Sequence, residues 1–267
     1  MTEPFVLTLW TNRVELAACA DAAGVQRIGV DLDRLGKADR QGGRHTWISP
    51  HTIADLDALR PALHHARLFA RVNPLHAGSA TEVAAVLAAG VEVLMLPMVA
   101  TPADAATFTR LVDGRALIVL LIECREAVER LTELVAVDGV GEVHIGLNDL
   151  AISLGLPNRW MVLAGDLVAD AAACVRAAGL RFGLGGIGRV GDDTLPIPPD
   201  LIYAECARTG ATAALLARSF LNTPLSNLAH EITRAHERLD YWRARDADAL
   251  AAAHAELGRL AAGLGAW

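Results

Sequence analysis

Lysine is almost missing from this chain: Lys37 is the single one in 267 residues. It stands in a polar, glycine-rich stretch rather than in the apolar pocket that would lower its pKa, which argues against Schiff-base chemistry. Cysteine is scarce as well. Cys19, Cys124, Cys174 and Cys206 are widely spaced and form no CxxC pair, so neither a zinc knuckle nor a disulfide framework is expected. Aromatic residues make up only 4%, the net charge is -7, and no Lys/Arg cluster with interleaved aromatics occurs, which excludes a nucleic-acid partner. No apolar run reaches membrane-spanning length, and Met1 to Trp10 lacks a basic segment followed by a long apolar one. The expectation is a soluble cytoplasmic protein with no membrane partner. A G-x-S-x-G elbow and an H-E-x-x-H pair are also lacking, so serine hydrolase and zinc protease chemistry are not supported.

Hydrophobic residues, chiefly alanine, leucine and valine, fill 53% of the chain, enough for a full core. Two apolar runs stop at an acid: Leu120-Leu121-Ile122-Glu123 and His144 through Asp149 to Leu150. Each reads as a buried parallel strand that presents a carboxylate at its carboxyl end. Between them, Ala127, Val128, Leu131, Leu134 and Val135 have the spacing of an amphipathic helix over Arg125 to Val135. A right-handed crossover then sets the two strands side by side. Two neighbouring carboxylates, Glu123 and Asp149, suit a hard divalent cation such as magnesium as its ligands. Taken singly, Glu123 reads as a helix cap and Asp149 as the start of a turn.

Strand and helix alternate about eight times, the count of a (β/α)₈ TIM barrel; a doubly wound open sheet is the alternative. Residues 1–224 form the expected barrel and 225–267 a C-terminal helical extension. That extension is either ordinary packing or an arm exchanged within a homo-oligomer. In a barrel the chemistry sits at the carboxyl ends of the strands, which selects Asp31, Asp33, Arg71, Asn73, Glu123, Asp149 and Arg218. Arg71 ends an apolar strand before Asn73-Pro74, and its forked donors suit an enolate or carboxylate oxygen. The stretch from Arg34 to Ser49 has no periodicity and reads as a functional loop, with Arg40 and Gln41 against the polar end of a substrate. Ser49-Pro50 is expected to open the following helix. His45, within the loop, is the candidate general base, although a lone histidine is more often structural. Gly183 to Gly188 matches GxGxxG only formally, because Pro196, Pro198 and Pro199 follow and no helix can open there. It reads as a glycine turn whose amides, at Gly185 and Gly186, hold a carboxylate or phosphate.

Arg71-Val72-Asn73-Pro74-Leu75, Val93 to Pro97, Leu121-Ile122-Glu123 and Ile145 to Ala151 followed by Leu154-Gly155 resemble the HpcH/HpaI aldolase and citrate lyase beta-subunit family. The resemblance implies a barrel, a magnesium or manganese ion, and a carbon–carbon lyase or aldolase working through an enolate of pyruvate or an oxaloacetate-like 2-oxo acid. By position it makes Glu123 and Asp149 metal ligands, Arg71 the enolate-stabilising arginine, and Asp33 an acid beside the metal, with Gly146 and Asn148 at the substrate. The chain departs from the pyruvate aldolases at Asp33-Arg34, where those carry an acid followed by a catalytic histidine. Asp31-Leu32-Asp33 with Arg71 to Pro74 is closer to the citrate lyase side, whose members act on acyl thioesters. The alternatives are therefore an acyl-CoA lyase or thioesterase at the same site, and a non-catalytic barrel that binds a small molecule.

Overall fold

Short runs of leucine, valine and isoleucine, apolar on both faces, can be buried only where each face meets another layer. In the computed structural model, which describes residues 4–40, 42 and 48–266, eight such runs pair in parallel and in sequence order into a closed barrel. The strands are β1 (Val6–Trp10), β2 (Arg27–Asp31), β3 (Arg67–Arg71), β4 (Val93–Leu96), β5 (Leu117–Ile122), β6 (Val140–Ile145), β7 (Arg181–Ile187) and β8 (Ala213–Leu216). The helices up to β6 are α1 (Val14–Ala22), α2 (Lys37–Arg40), α3 (Ile53–Leu59), α4 (Ser79–Ala88), α5 (Pro102–Val112), α6 (Arg125–Glu129) and α7 (Leu131–Val135). Beyond β6 come α8 (Leu147–Leu154), α9 (Trp160–Leu163), α10 (Leu167–Ala177), α11 (Pro199–Thr209), α12 (Leu225–Arg243) and α13 (Ala247–Gly263).

The two-residue period of a strand divides the core in two. On β5, Val119 and Leu121 point inward and join Phe69, Val93 and Met95, with Trp10 and Leu117 at the edges. Ile118, Leu120 and Ile122 belong to the larger layer between barrel and helices. The inner space also holds charge. Arg27 on β2 reaches Glu142 on β6 through a forked pair, Nη1 to Oε1 at 2.7 Å and Nη2 to Oε2 at 2.6 Å, and His144 Nε2 lies 2.5 Å from Glu142 Oε1. Burial alone would raise the Glu142 carboxyl, but His144 and Arg27 outweigh it and hold it at about 2.

Helix starts follow local chemistry. Thr101 and Asp104 form a capping box around Pro102, as the sequence suggests for α5. The helix expected from Ser49-Pro50 begins instead at Ile53, because Thr52 and Asp55 make their own box, with the Thr52 amide donating to Asp55 Oδ2 at 2.6 Å. The single helix expected over Arg125 to Val135 breaks at Arg130 into α6 and α7. Asp149 is not at the end of a strand: β6 stops at Ile145, and Asp149 lies in the first turn of α8. At the C-terminal end, α12 packs on α1 and α11, closing the outer ring, and α13 folds back on α11 and α9 of its own chain. Among the described residues no helix is long and apolar enough to cross a membrane.

Candidate active site

The carboxyl ends of the strands open into one cavity of about 1160 Å³, lined among others by Trp10, Asp31, Arg71, Glu123, Asp149 and Arg218. Glu123 follows β5 and is 2% exposed. Its Oε1 accepts the Met98 amide at 3.0 Å. Met98 has a positive φ of 52°, a left-handed conformation unfavourable for a non-glycine residue, so the chain holds strain where its amide meets this acid. A Cβ at Gly146 would lie 2.6 Å from Glu123 Oε2, so only glycine lets β6 pass this close. Burial, and next the charge of Asp149, push the Glu123 carboxyl up to about 8 despite the pull of Arg71. Among the described residues no group of three or more His, Cys, Asp or Glu could hold a metal ion.

Asp31 and Arg71 form a second unit. Arg71 Nε donates to Asp31 Oδ1 at 2.8 Å and Nη2 to Oδ2 at 2.7 Å, while the guanidinium lies 5.8 Å from the centre of the Trp10 ring. Burial works against the charge on both partners, but each outweighs it for the other: the Asp31 carboxyl is lowered to about 2 and the Arg71 pKa is raised. Lys37 is buried and not, as its polar neighbours suggest, in an open loop. It sits on α2 with Nζ 3.1 Å from Asp33 Oδ2 and 3.5 Å from Asp31 Oδ2. Arg40 donates to Asp33 Oδ1 at 3.2 Å and to the Leu35 carbonyl at 2.7 Å, and its Nε lies 3.9 Å from Asp149 Oδ1. Asp33 and Arg40, expected at the chemistry and at the substrate, are therefore bound to each other.

Arg34, at the position of the pyruvate aldolases' histidine, staples its own loop by donating to the carbonyls of Ser49 at 2.9 Å and His51 at 2.8 Å. Asn73 holds the loop's start, its Oδ1 accepting the amides of Arg34 and Leu35, both at 2.9 Å. His45 and Gln41 lie outside the described residues. His51 is the imidazole that the selection of rim residues passes over: it lines the cavity, and its Nδ1 accepts the Asp31 amide at 3.1 Å. That bond leaves the neutral ring's proton on Nε2, and burial lowers its pKa. Asn148 and Gly146 line the cavity beside Asp149, and Asn148 Oδ1 accepts from Arg159 Nη1 at 3.3 Å. Gly185 and Gly186 also line it, within β7 rather than in a turn beyond it, where the register with β8 shifts between Leu184 and Ile187 and Gly186 has a positive φ of 72°.

Comparison with known proteins agrees with this fold. A model of the HpcH/HpaI aldolase/citrate lyase family matches residues 48–190. The chain resembles the protein CitE from Mycobacterium tuberculosis in complex with magnesium and pyruvate, at 18% identity and a TM-score of 0.64 over 96% of this chain and 98% of that one. It also resembles an HpcH/HpaI aldolase/citrate lyase family protein from Burkholderia cenocepacia J2315, at 18% identity and a TM-score of 0.63, covering 90% and 95%. The citrate synthase SbnG aligns at 17% identity and a TM-score of 0.60, covering 89% and 95%. At these identities the structural likenesses speak to the fold. No curated protein matches the sequence.

Proposed function

Because the chain belongs to the HpcH/HpaI aldolase/citrate lyase family, we propose that it makes or breaks a carbon–carbon bond through the enolate of a 2-oxo acid such as pyruvate or oxaloacetate. What carries this reading is the meeting of Glu123, Asp149 and Arg71 at one cavity. A divalent cation fits there. Glu123, raised to about 8 by burial and Asp149, is an acid short of positive charge. Magnesium or manganese accepts one or two protein carboxylates and leaves its remaining positions to water and substrate. Glu123 and Asp149 would hold it; when bound, it supplies positive charge that favours the enolate over the ketone.

The chain's own groups do the rest. Asp31 fixes the Arg71 guanidinium through Nε and Nη2, and Arg71 Nη1 makes no hydrogen bond among the described residues. That donor is available to the oxygen that becomes negative, in a buried site where a preset donor is worth most. Lys37 and Arg40 hold Asp33 and Asp31 in place, and Met98 and Gly146 fix Glu123. His51, with its proton on Nε2, serves as a hydrogen-bond donor rather than a base, and His45, outside the described residues, remains a candidate for proton removal. The four cysteines are free, which suits the reducing cytoplasm proposed for it. A second reading, an acyl-thioester lyase or thioesterase at the same acids, is favoured by the cavity of about 1160 Å³, which exceeds what a three-carbon acid needs.

The test is exchange of the pyruvate methyl protons for deuterium, followed by proton NMR. Exchange is expected with magnesium or manganese and is expected to stop in chelator. Full exchange in verified metal-free protein, or none with any 2-oxo acid under either ion, overturns the reading.

A further inference from the structure

Lys37, the one lysine of the chain, lines the cavity and is 3% exposed, although its helix α2 has only four residues. Gly36, with a positive φ of 66°, turns the chain just before it. Ala38 and Asp39 are exposed, so α2 grips the barrel through Lys37 and Arg40, which stand three apart and share one side of its single turn. Both reach Asp33, which is buried: Lys37 Nζ lies 3.1 Å from Oδ2, and Arg40 Nη2 donates to Oδ1 at 3.2 Å. Nζ also lies 3.5 Å from Asp31 Oδ2, the oxygen that accepts from Arg71 Nη2 at 2.7 Å. Charges thus alternate along the rim through Arg71, Asp31, Lys37, Asp33 and Arg40. The series ends at Arg40 Nε, buried and without a hydrogen bond among the described residues, 3.9 Å from Asp149 Oδ1.

Lys37 stands at the middle of that series. The fork fixes Arg71 and Asp31 to each other, but by itself it lets the pair swing as one body about the Asp31 side-chain bonds. The Asp33 amide, donating to Asp31 Oδ1 at 3.2 Å, and Lys37 at Oδ2 pin the carboxylate from both sides. Without Lys37, Asp31 and Asp33 would stand close together with no positive charge between them, and would repel each other. We infer that Lys37 is a positioning residue: through Asp31 it sets the place at which Arg71 Nη1 meets the oxygen that becomes negative, and through Asp33 it holds Arg40 beside Asp149. This rests on the enolate reading and makes α2 a part of the reacting apparatus rather than a cover over it.

Methyl-proton exchange of pyruvate by the magnesium-loaded full chain tests it. Lys37→Met is expected to lower kcat on the order of 10- to 100-fold with KM little changed, the effect of misplacing a group whose contact counts only in the transition state. Lys37→Arg, which keeps the charge, is expected to recover part of the loss. The deciding readout is a double-mutant cycle with Arg71→Lys: if Lys37 acts through Arg71, removing it from the Arg71→Lys protein costs much less than removing it from the wild type, whereas a merely structural role gives losses that multiply. Asp33→Asn, which leaves the Arg71 fork intact and withdraws one partner of Lys37, carries the same cycle if Lys37→Met does not fold. Brief acetylation read by peptide mass spectrometry is expected to spare Lys37 in the folded wild type. Multiplying losses in the cycle, an unchanged kcat in both Lys37→Met and Asp33→Asn, or rapid acetylation of Lys37 in the folded wild type overturns the positioning role alone. A wild type that exchanges no methyl protons of any 2-oxo acid overturns the enolate reading, and this inference with it.

Discussion

Replacing Glu123 by glutamine separates what the acid pair costs the fold from what it does for the site. In protein stripped of divalent cations, burial and the charge of Asp149 raise the Glu123 carboxyl from 4.5 to about 8. In the unfolded chain the same group ionises near its ordinary value. The folded state therefore holds the proton more tightly, and this group's contribution to stability is present below about pH 4.5 and lost as pH rises to about 8. At about 1.4 kcal/mol per pH unit, the loss is on the order of 5 kcal/mol once both states are ionised. Urea unfolding in chelator, at intervals from about pH 5 to pH 9, reads it directly. The wild type should lose stability across that window, whereas Glu123→Gln, with nothing to ionise, should lack this fall and be the more stable protein above about pH 8. Magnesium should then raise the stability of the wild type by mass action and do little for the variant. Parallel curves for the two proteins in chelator would refute the reasoning, since Glu123 would then ionise like an exposed acid.

Arg71→Lys keeps a charge but loses the planar fork bound to Asp31; methyl-proton exchange should slow by roughly 2.7–4 kcal/mol of barrier, as for loss of an oxyanion donor, and added magnesium should not restore it. Recovery at high magnesium would place Arg71 with the cation instead. Glu142→Gln leaves Arg27 buried without its counter-charge, and should cost about 3–5 kcal/mol in urea unfolding; a change under about 1 kcal/mol would show that the pair is dispensable.

The barrel was legible because each strand is a short apolar run and each turn carries its own signal, as at Thr101-Pro102, where capping box and proline act within four residues. What escaped depends on distant partners. The run from His144 to Leu150 reads as continuous strand, yet β6 stops at Ile145 and Gly146, which passes close against Glu123 from beyond β5, leads into α8. Lys37 looks solvated among polar neighbours; only the fold delivers Asp31 and Asp33 to it. Arg159 follows the metal-type motif by ten residues with no periodicity to mark it, and the cavity alone connects the two. The Thr52 box, by contrast, was a local T-x-x-D signal outweighed by the nearby Ser49-Pro50. Of the apolar residues on the C-terminal extension, Leu228, Ile232, Leu239 and Leu257 are buried and Trp242 and Leu250 half-buried.

The forked pair between Arg27 and Glu142 joins strands that stand four apart, on opposite walls of an eight-strand ring, across 115 residues of sequence. In either half formed alone, its member would face solvent on the open inner side, so the two charges leave water only when the ring closes and they meet. The same strut sets the separation of the wall that ends in Asp31 from the wall that leads to Asp149, so the two sides of the mouth come to their working distance only when the whole cylinder has closed.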